Sequence, residues 1–125
     1  MTVNNLFLKI GSKNLTLKLK DTLTAKKIYD SVPIRSKVST WGKEIYFNTG
    51  LSIERELEAK EIVDKGEIAF WTEGSSIAIG FGPTPISQGD EIRLAAPCNI
   101  WANAEFDKNF FSDVKDGDEV LVEKS

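Results

Sequence analysis

Histidine is absent from this chain of 125 residues, and cysteine occurs once. Without imidazole there is no histidine general base, no Ser-His-Asp or Cys-His arrangement, and little scope for a transition-metal site. The lone Cys98 permits no intrachain disulfide, so a reduced, cytoplasmic location is expected. Beside Pro97, and with no partner to draw off its proton, Cys98 reads as a small buried hydrophobe. Long apolar runs are also lacking. Met1-Thr2-Val3-Asn4-Asn5 is not a basic leader, and the run after it is too short for a signal peptide or a membrane span.

An excess of positive charge is missing too. Sixteen Lys and Arg stand against nineteen Asp and Glu, for a net charge of −3. A nucleic-acid partner calls for a basic surface that displaces counterions, so none is expected. Lys9, Lys13, Lys18, Lys20, Lys26 and Lys27 cluster early and read as wet faces of a hairpin and a helix. There is no Walker-type loop. Gly80-Phe81-Gly82 lacks the third glycine of a dinucleotide fingerprint, and the prolines after it bar a helix there. Glu54, Glu56, Glu58 and Glu61 form one acidic group, and Asp116, Asp118 and Glu119 a second. Neither has the spacing of a calcium loop, so both read as solvated faces. No cofactor and no metal is expected.

What is present is an ordinary globular composition, 41% hydrophobic and 28% charged, enough for one domain over residues 1–125. The chain is organised around Gly66–Pro85. Apolar runs Ile68–Trp71 and Ile77–Phe81 flank a turn at Glu73-Gly74-Ser75 and predict a β-hairpin, ended by a corner at Gly82-Pro83-Thr84-Pro85. Both faces of the two runs are apolar, which places this hairpin inside the protein.

Upstream, Leu6, Leu8 and Ile10 alternate with Phe7 and Lys9, and Leu15, Leu17 and Leu19 with Thr16 and Lys18. That predicts a first hairpin with one leucine-rich face. Thr22 or Thr24 can cap a helix whose stripe is Ala25, Ile28, Tyr29 and Val32, stopped by Pro33. Strands follow over Ile34–Val38 and Glu44–Phe47, with a turn at Trp41-Gly42-Lys43. Leu51, Ile53 and Leu57 share a parity that fits a strand, while Ile53–Val63 also fits an exposed helix. Glu91–Leu94 predicts a strand interrupted by Pro97, then a short strand at Cys98–Trp101. Asp107–Val114 predicts a helical turn, and Glu119–Glu123 a terminal strand. The fold class is therefore mainly β, a closed antiparallel barrel with one or two short helices.

The side chains left to carry function are aromatic. Trp41, Tyr46, Phe47, Phe70, Trp71 and Phe81 come from neighbouring strands. They either fill the barrel or line an apolar pocket on its wall with a few polar groups in it. Trp41 and Trp71 sit beside turns, where a large ring is less easily buried.

The stretches T-W-G-K-E-I-Y-F, from Thr40 to Phe47, and G-E-I-A-F-W…I-G-F-G-P-T-P, from Gly66 to Pro85, resemble the small stand-alone cyclophilin-like proteins of bacteria and archaea, a family of uncharacterised function. The resemblance runs from the first hairpin to the terminal K-D-G-D-E-V strand. It implies a cyclophilin-like barrel of about eight strands. More distantly, Gly66–Phe70 and Ser76–Ile79 look like the hairpin that helps form the proline groove of true cyclophilins. The F-H-R triplet of those enzymes is absent here, and Gln88 is the one glutamine.

Prolyl isomerisation crosses a barrier of ~20 kcal/mol set by amide resonance. Its catalyst needs a cation or donor aimed at the amide nitrogen. Arg35 is the arginine nearest the matching strand, and it is expected to face solvent. The leading expectation is thus a binding module, using Trp41, Glu44, Tyr46, Trp71 and Phe81 to hold a peptide or a small apolar ligand. A weak peptidyl-prolyl isomerase using Arg35 or Arg93 is one alternative. A structural or homodimeric interaction protein is the other, with the oligomeric state left open.

Overall fold

The computed structural model describes residues 4–125. Strands β1 (Asn5–Ile10) and β2 (Lys13–Leu19) form the first hairpin. Its register sets Leu6 opposite Leu17 and Leu8 opposite Leu15. All four leucines therefore point inward, and each is at most 5% exposed. Helix α1 (Leu23–Tyr29) follows, with Thr22 as its cap: the Thr22 hydroxyl accepts from the Ala25 amide at 3.0 Å. The helix ends before Val32, a residue the stripe included. Val32 still packs against the core from the loop beyond it.

Eight further strands complete the described chain. They are β3 (Ile34–Lys37), β4 (Ser39–Thr40), β5 (Glu44–Asn48), β6 (Lys60–Val63), β7 (Glu67–Trp71), β8 (Ser76–Gly80), β9 (Ile92–Asn103) and β10 (Glu119–Lys124). The sheet order is β3-β10-β1-β2-β9-β7-β8-β5-β4, and every pairing is antiparallel. Its two end strands, β3 and β4, are consecutive in the chain, with only Val38 between them. The barrel thus nearly closes through the chain itself. Val38 pins the seam: its amide donates to Asp118 at 2.9 Å and its carbonyl accepts from Gly117 at 2.8 Å. Near-closure leaves little free strand edge.

The barrel interior is filled by Leu6, Leu8, Leu17, Ile28, Ile45, Phe47, Ile68, Phe70, Ile77, Ile79 and Trp101, none more than 1% exposed. The central hairpin is buried on both faces, as its two-sided apolar pattern requires: every residue of β8 is buried. Among the described residues no helix is long and apolar enough to cross a membrane.

Three expectations change. Residues 51–59 form neither a strand nor a helix but an irregular strap ahead of β6. The strap is fastened by side chains instead of a ladder. Asn99 accepts from the Glu56 amide at 2.8 Å and donates to the Glu54 carbonyl at 2.9 Å, and Glu56 accepts from the Thr24 amide at 3.1 Å. Ile53 turns into the core while Leu57 is fully exposed. Pro97 does not break its strand. It lies between Arg93 and Cys98, where the register with β6 shifts. A missing amide is tolerated at such an irregularity. Residues 107–114 are a run of turns without an α-helix, although Phe106, Phe110 and Phe111 do cluster there.

Strand β6 lies off the main sheet path and, among the described residues, pairs with β9 alone. Together with the first half of β9 it forms a two-stranded ribbon. Val63, Ile92, Leu94 and Cys98 of that ribbon join Ala69, Ala78 and Ile100 of the barrel wall in a second apolar cluster. The small residues on the wall make room for it. A Cβ on Gly80 would lie 2.4 Å from Ile92 Cγ2.

Candidate functional site

Strand pairing decides which of the candidate residues share a face. On the outside of the barrel, Ile100, Ala69, Ala78 and Tyr46 stand in one row across β9, β7, β8 and β5. Trp71 opposes Ser76 and Ser76 opposes Asn48, one step along the strands. Glu44 opposes Gly80, one step the other way. Side chains two apart on a strand point to the same face, so Glu44, Tyr46 and Trp71 all look outward. The Tyr46 and Trp71 rings meet edge to face, with centroids 6.2 Å apart. Trp71 is braced by the hairpin turn, where a Cβ on Gly74 would lie 2.3 Å from its ring.

Trp41 joins the same face. Ser39 pairs with Tyr46 and Thr40 with Ile45, and the Trp41 amide donates to the Glu44 carbonyl at 2.9 Å. The register therefore continues across the Gly42-Lys43 turn, with Gly42 at φ +61°. Trp41 lies opposite Glu44, half-buried like Tyr46 and Trp71. The result is a strip of three half-buried rings that runs from Trp41 past Tyr46 to Trp71, with the acid at the Trp41 end.

Phe81 goes elsewhere. Its ring packs against Phe111 at 5.5 Å and belongs to the main core. The first residue after β8 follows the barrel inward, while the strip lies on the outer face. Four of the five proposed ligand contacts are thus brought together, and Phe81 is not among them.

Glu44 is the unusual member. It is 6% exposed, and its Oε1 is buried without a hydrogen-bond partner. Burial pushes its carboxyl up to about 7, because charge is costly where water is excluded. The Cys98 thiol is pushed up to about 12, first by burial and then by the Glu44 charge. Cys98 is therefore an inert neutral group at ordinary pH.

Reading the residues alone missed the ribbon. Ile92 and Leu94 lie over Gly80 beside Glu44, whereas their pattern predicts a strand and nothing of what it covers. A signal was available in the column of Ala69, Ala78 and Gly80: small outward residues on neighbouring strands leave space for something to pack.

Arg35 is on a different part of the surface. It lies opposite Leu121 and lines a hollow of about 830 Å³ with Lys9, Lys37 and Glu119. None of the strip residues borders that hollow. Arg93 is engaged by carboxylates, with Glu91 at 2.6 Å and Glu61 at 3.5 Å.

Against known proteins, the cyclophilin-like family model matches residues 4–123. The solution structure of the hypothetical protein AF2241 from Archaeoglobus fulgidus is 32% identical, with a TM-score of 0.82 over 98% of this chain and 95% of that one. The structure of McbB in complex with tryptophan has a TM-score of 0.63 at 13% identity, covering 96% of this chain and 44% of that one. At that identity the likeness concerns the fold alone. No curated protein matches the chain.

Proposed function

The chain belongs to the cyclophilin-like family, and from that standing we propose that it is a binding module whose site is the outer face bearing Trp41, Glu44, Tyr46 and Trp71. The observation that carries this reading is the strip itself. Three half-buried rings share one face with an acid whose buried oxygen has no partner. Such rings offer large contact area at small cost in side-chain freedom, and the acid supplies a directional anchor. A small ligand with an apolar, flat body suits a surface of this shape. A peptide presenting one such side chain is the alternative occupant.

Binding is preferred to isomerisation on geometric grounds. A prolyl isomerase needs a donor poised at the seat of the ring. Arg35 lines the separate hollow, and Arg93 is held by two carboxylates. Neither is poised over the aromatic strip.

Titration of the tryptophan fluorescence with one library of proline peptides and one of apolar metabolites tests the reading. A saturable change that is lost in Trp41→Leu is expected. A flat response to both libraries would remove the proposal.

A further inference from the structure

The Glu44 carboxyl is placed as though a donor were to come from outside. Its Oε1 is buried and unpartnered, and among the described residues no ion pair reaches it. The arginines nearby are committed, and Lys60 of the ribbon is paired with Glu67 at 2.9 Å. Lys43, its neighbour in sequence, lays its aliphatic stem along Gly82. Arg93 on the ribbon is held by Glu91 and Glu61, and Arg55 on the strap is held by Glu73. Strand β8, which pairs with β5, carries no charged side chain. Cys98 of the ribbon, on whose thiol the Glu44 charge acts, stays neutral.

Resting on the reading of this face as a binding site, we propose that Glu44 makes it selective for a small-molecule amine, one carrying a protonated amino group on a ring-bearing apolar body. The ammonium donates to the Glu44 carboxylate and the ring lies against Trp41 and Tyr46, which flank Glu44 across the turn and along its own strand. Two independent features favour a cation over an anion or a neutral group. An ammonium supplies the charge-assisted hydrogen bond that Oε1 lacks. Electron-rich ring faces also attract cations and not anions. The small exposure of Glu44 favours a slender ammonium at the end of a short tether.

The proposal has a proton signature. With its carboxyl pushed up to about 7, Glu44 is mostly protonated at pH 6. Docking of an ammonium favours the charged carboxylate, so the proton leaves Glu44 for solvent as the complex forms. At pH 8 the carboxylate is already charged and little proton is released.

Calorimetric titrations of the full chain with phenethylamine, 2-phenylethanol and 3-phenylpropionate at pH 8 test this. Phenethylamine should bind about tenfold or more tightly than the alcohol, the range of one charge-assisted hydrogen bond. The propionate should bind weakest, and Glu44→Gln should erase the preference for the amine. Because that variant could misfold, the wild-type protein provides a second measurement. At pH 6, phenethylamine titrations in two buffers of different ionisation enthalpy should show release of close to one proton. Equal binding of amine and alcohol, or no proton release at pH 6, overturns the selectivity while leaving the aromatic face as a binding site. Failure of all three probes together with a flat library screen removes both readings.

Discussion

Ile92 lies directly over Gly80, so that a Cβ on the glycine would meet Ile92 Cγ2 at 2.4 Å. This contact is where the ribbon is seated on the barrel wall. Gly80→Ala should destabilise the protein by about 1–3 kcal/mol through overpacking. Ile92→Ala should be destabilising by itself. Adding it to Gly80→Ala should give a loss smaller than the sum of the two, since the clash has been removed. Urea unfolding of the two single variants and the double variant reads this coupling. Strict additivity would mean that the ribbon does not rest on Gly80.

Stability should depend on pH through Glu44. Its folded carboxyl titrates at about 7, above the ordinary 4.5 expected for an unfolded chain. Between those values the folded state holds more protons, so stability falls as pH rises. The contribution is fully present below about pH 4.5 and is lost through about pH 7. Its full size is on the order of 3 kcal/mol. Unfolding curves of the wild type should thus show a drop between pH 5 and 8 that Glu44→Gln lacks. A drop of the same size in the variant would assign the effect to other groups.

The strap should loosen when Asn99 is shortened. Asn99 is 1% exposed, and it bonds to the Glu56 amide, the Glu54 carbonyl and the Thr24 hydroxyl. Asn99→Ala leaves those groups without partners, at a cost of roughly 3 kcal/mol. Because the strap has no ladder of its own, much of that loss should appear locally. Trypsin should cleave after Arg55 faster in the variant. Unchanged cleavage would mean that the strap is held by Ile53 and its packing alone.

Arg35 separates binding from catalysis. It lines the hollow shared with Lys9 and Lys37, which contains none of the aromatic strip. Arg35→Ala should leave the fluorescence titration unchanged within error. A protease-coupled assay with a proline peptide should show no rate above background for either protein. An acceleration that disappears in Arg35→Ala would return the isomerase reading to the front.

The hairpins and barrel class were legible because each depends on alternation within a few residues. Leu6, Leu8, Leu15 and Leu17 declare one buried face, and Ile68–Phe70 with Ile77–Ile79 declare two. The strap was not legible. The spacing of Leu51, Ile53 and Leu57 satisfies a strand, but what decides it is Asn99, over forty residues away, bonding to the backbone of Glu54 and Glu56. The site was legible in part. Parity alone puts Glu44 and Tyr46 together, and the turn at Gly42 adds Trp41. The same parity puts Phe81 with Ile77 and Ile79 on the inner face, where its ring meets Phe111, and away from the strip. That Glu44 is buried follows from the ribbon, a long-range packing event that local pattern does not encode.

Cys98 offers a direct reading of that ribbon. Its thiol is 1% exposed, pushed up to about 12 by burial, and part of the same apolar cluster as Ile92 and Leu94. In the folded state it should react with an aromatic disulfide reagent only when the ribbon lifts. The labelling rate is then the opening equilibrium constant multiplied by the reactivity of the exposed thiol, and a substitution elsewhere in the ribbon changes only the first factor. Leu94 is 1% exposed, and Leu94→Ala should weaken the seat by about 2–5 kcal/mol. If the ribbon opens separately from the barrel, labelling should speed up by a factor of ten or more, while hydrogen exchange in β1 and β2 stays near the wild-type rate. If labelling and exchange in β1 and β2 accelerate together, the ribbon and barrel open as one unit. The aromatic face would then bind only what reaches it with the ribbon in place, an ammonium entering by the small exposed edge of Glu44.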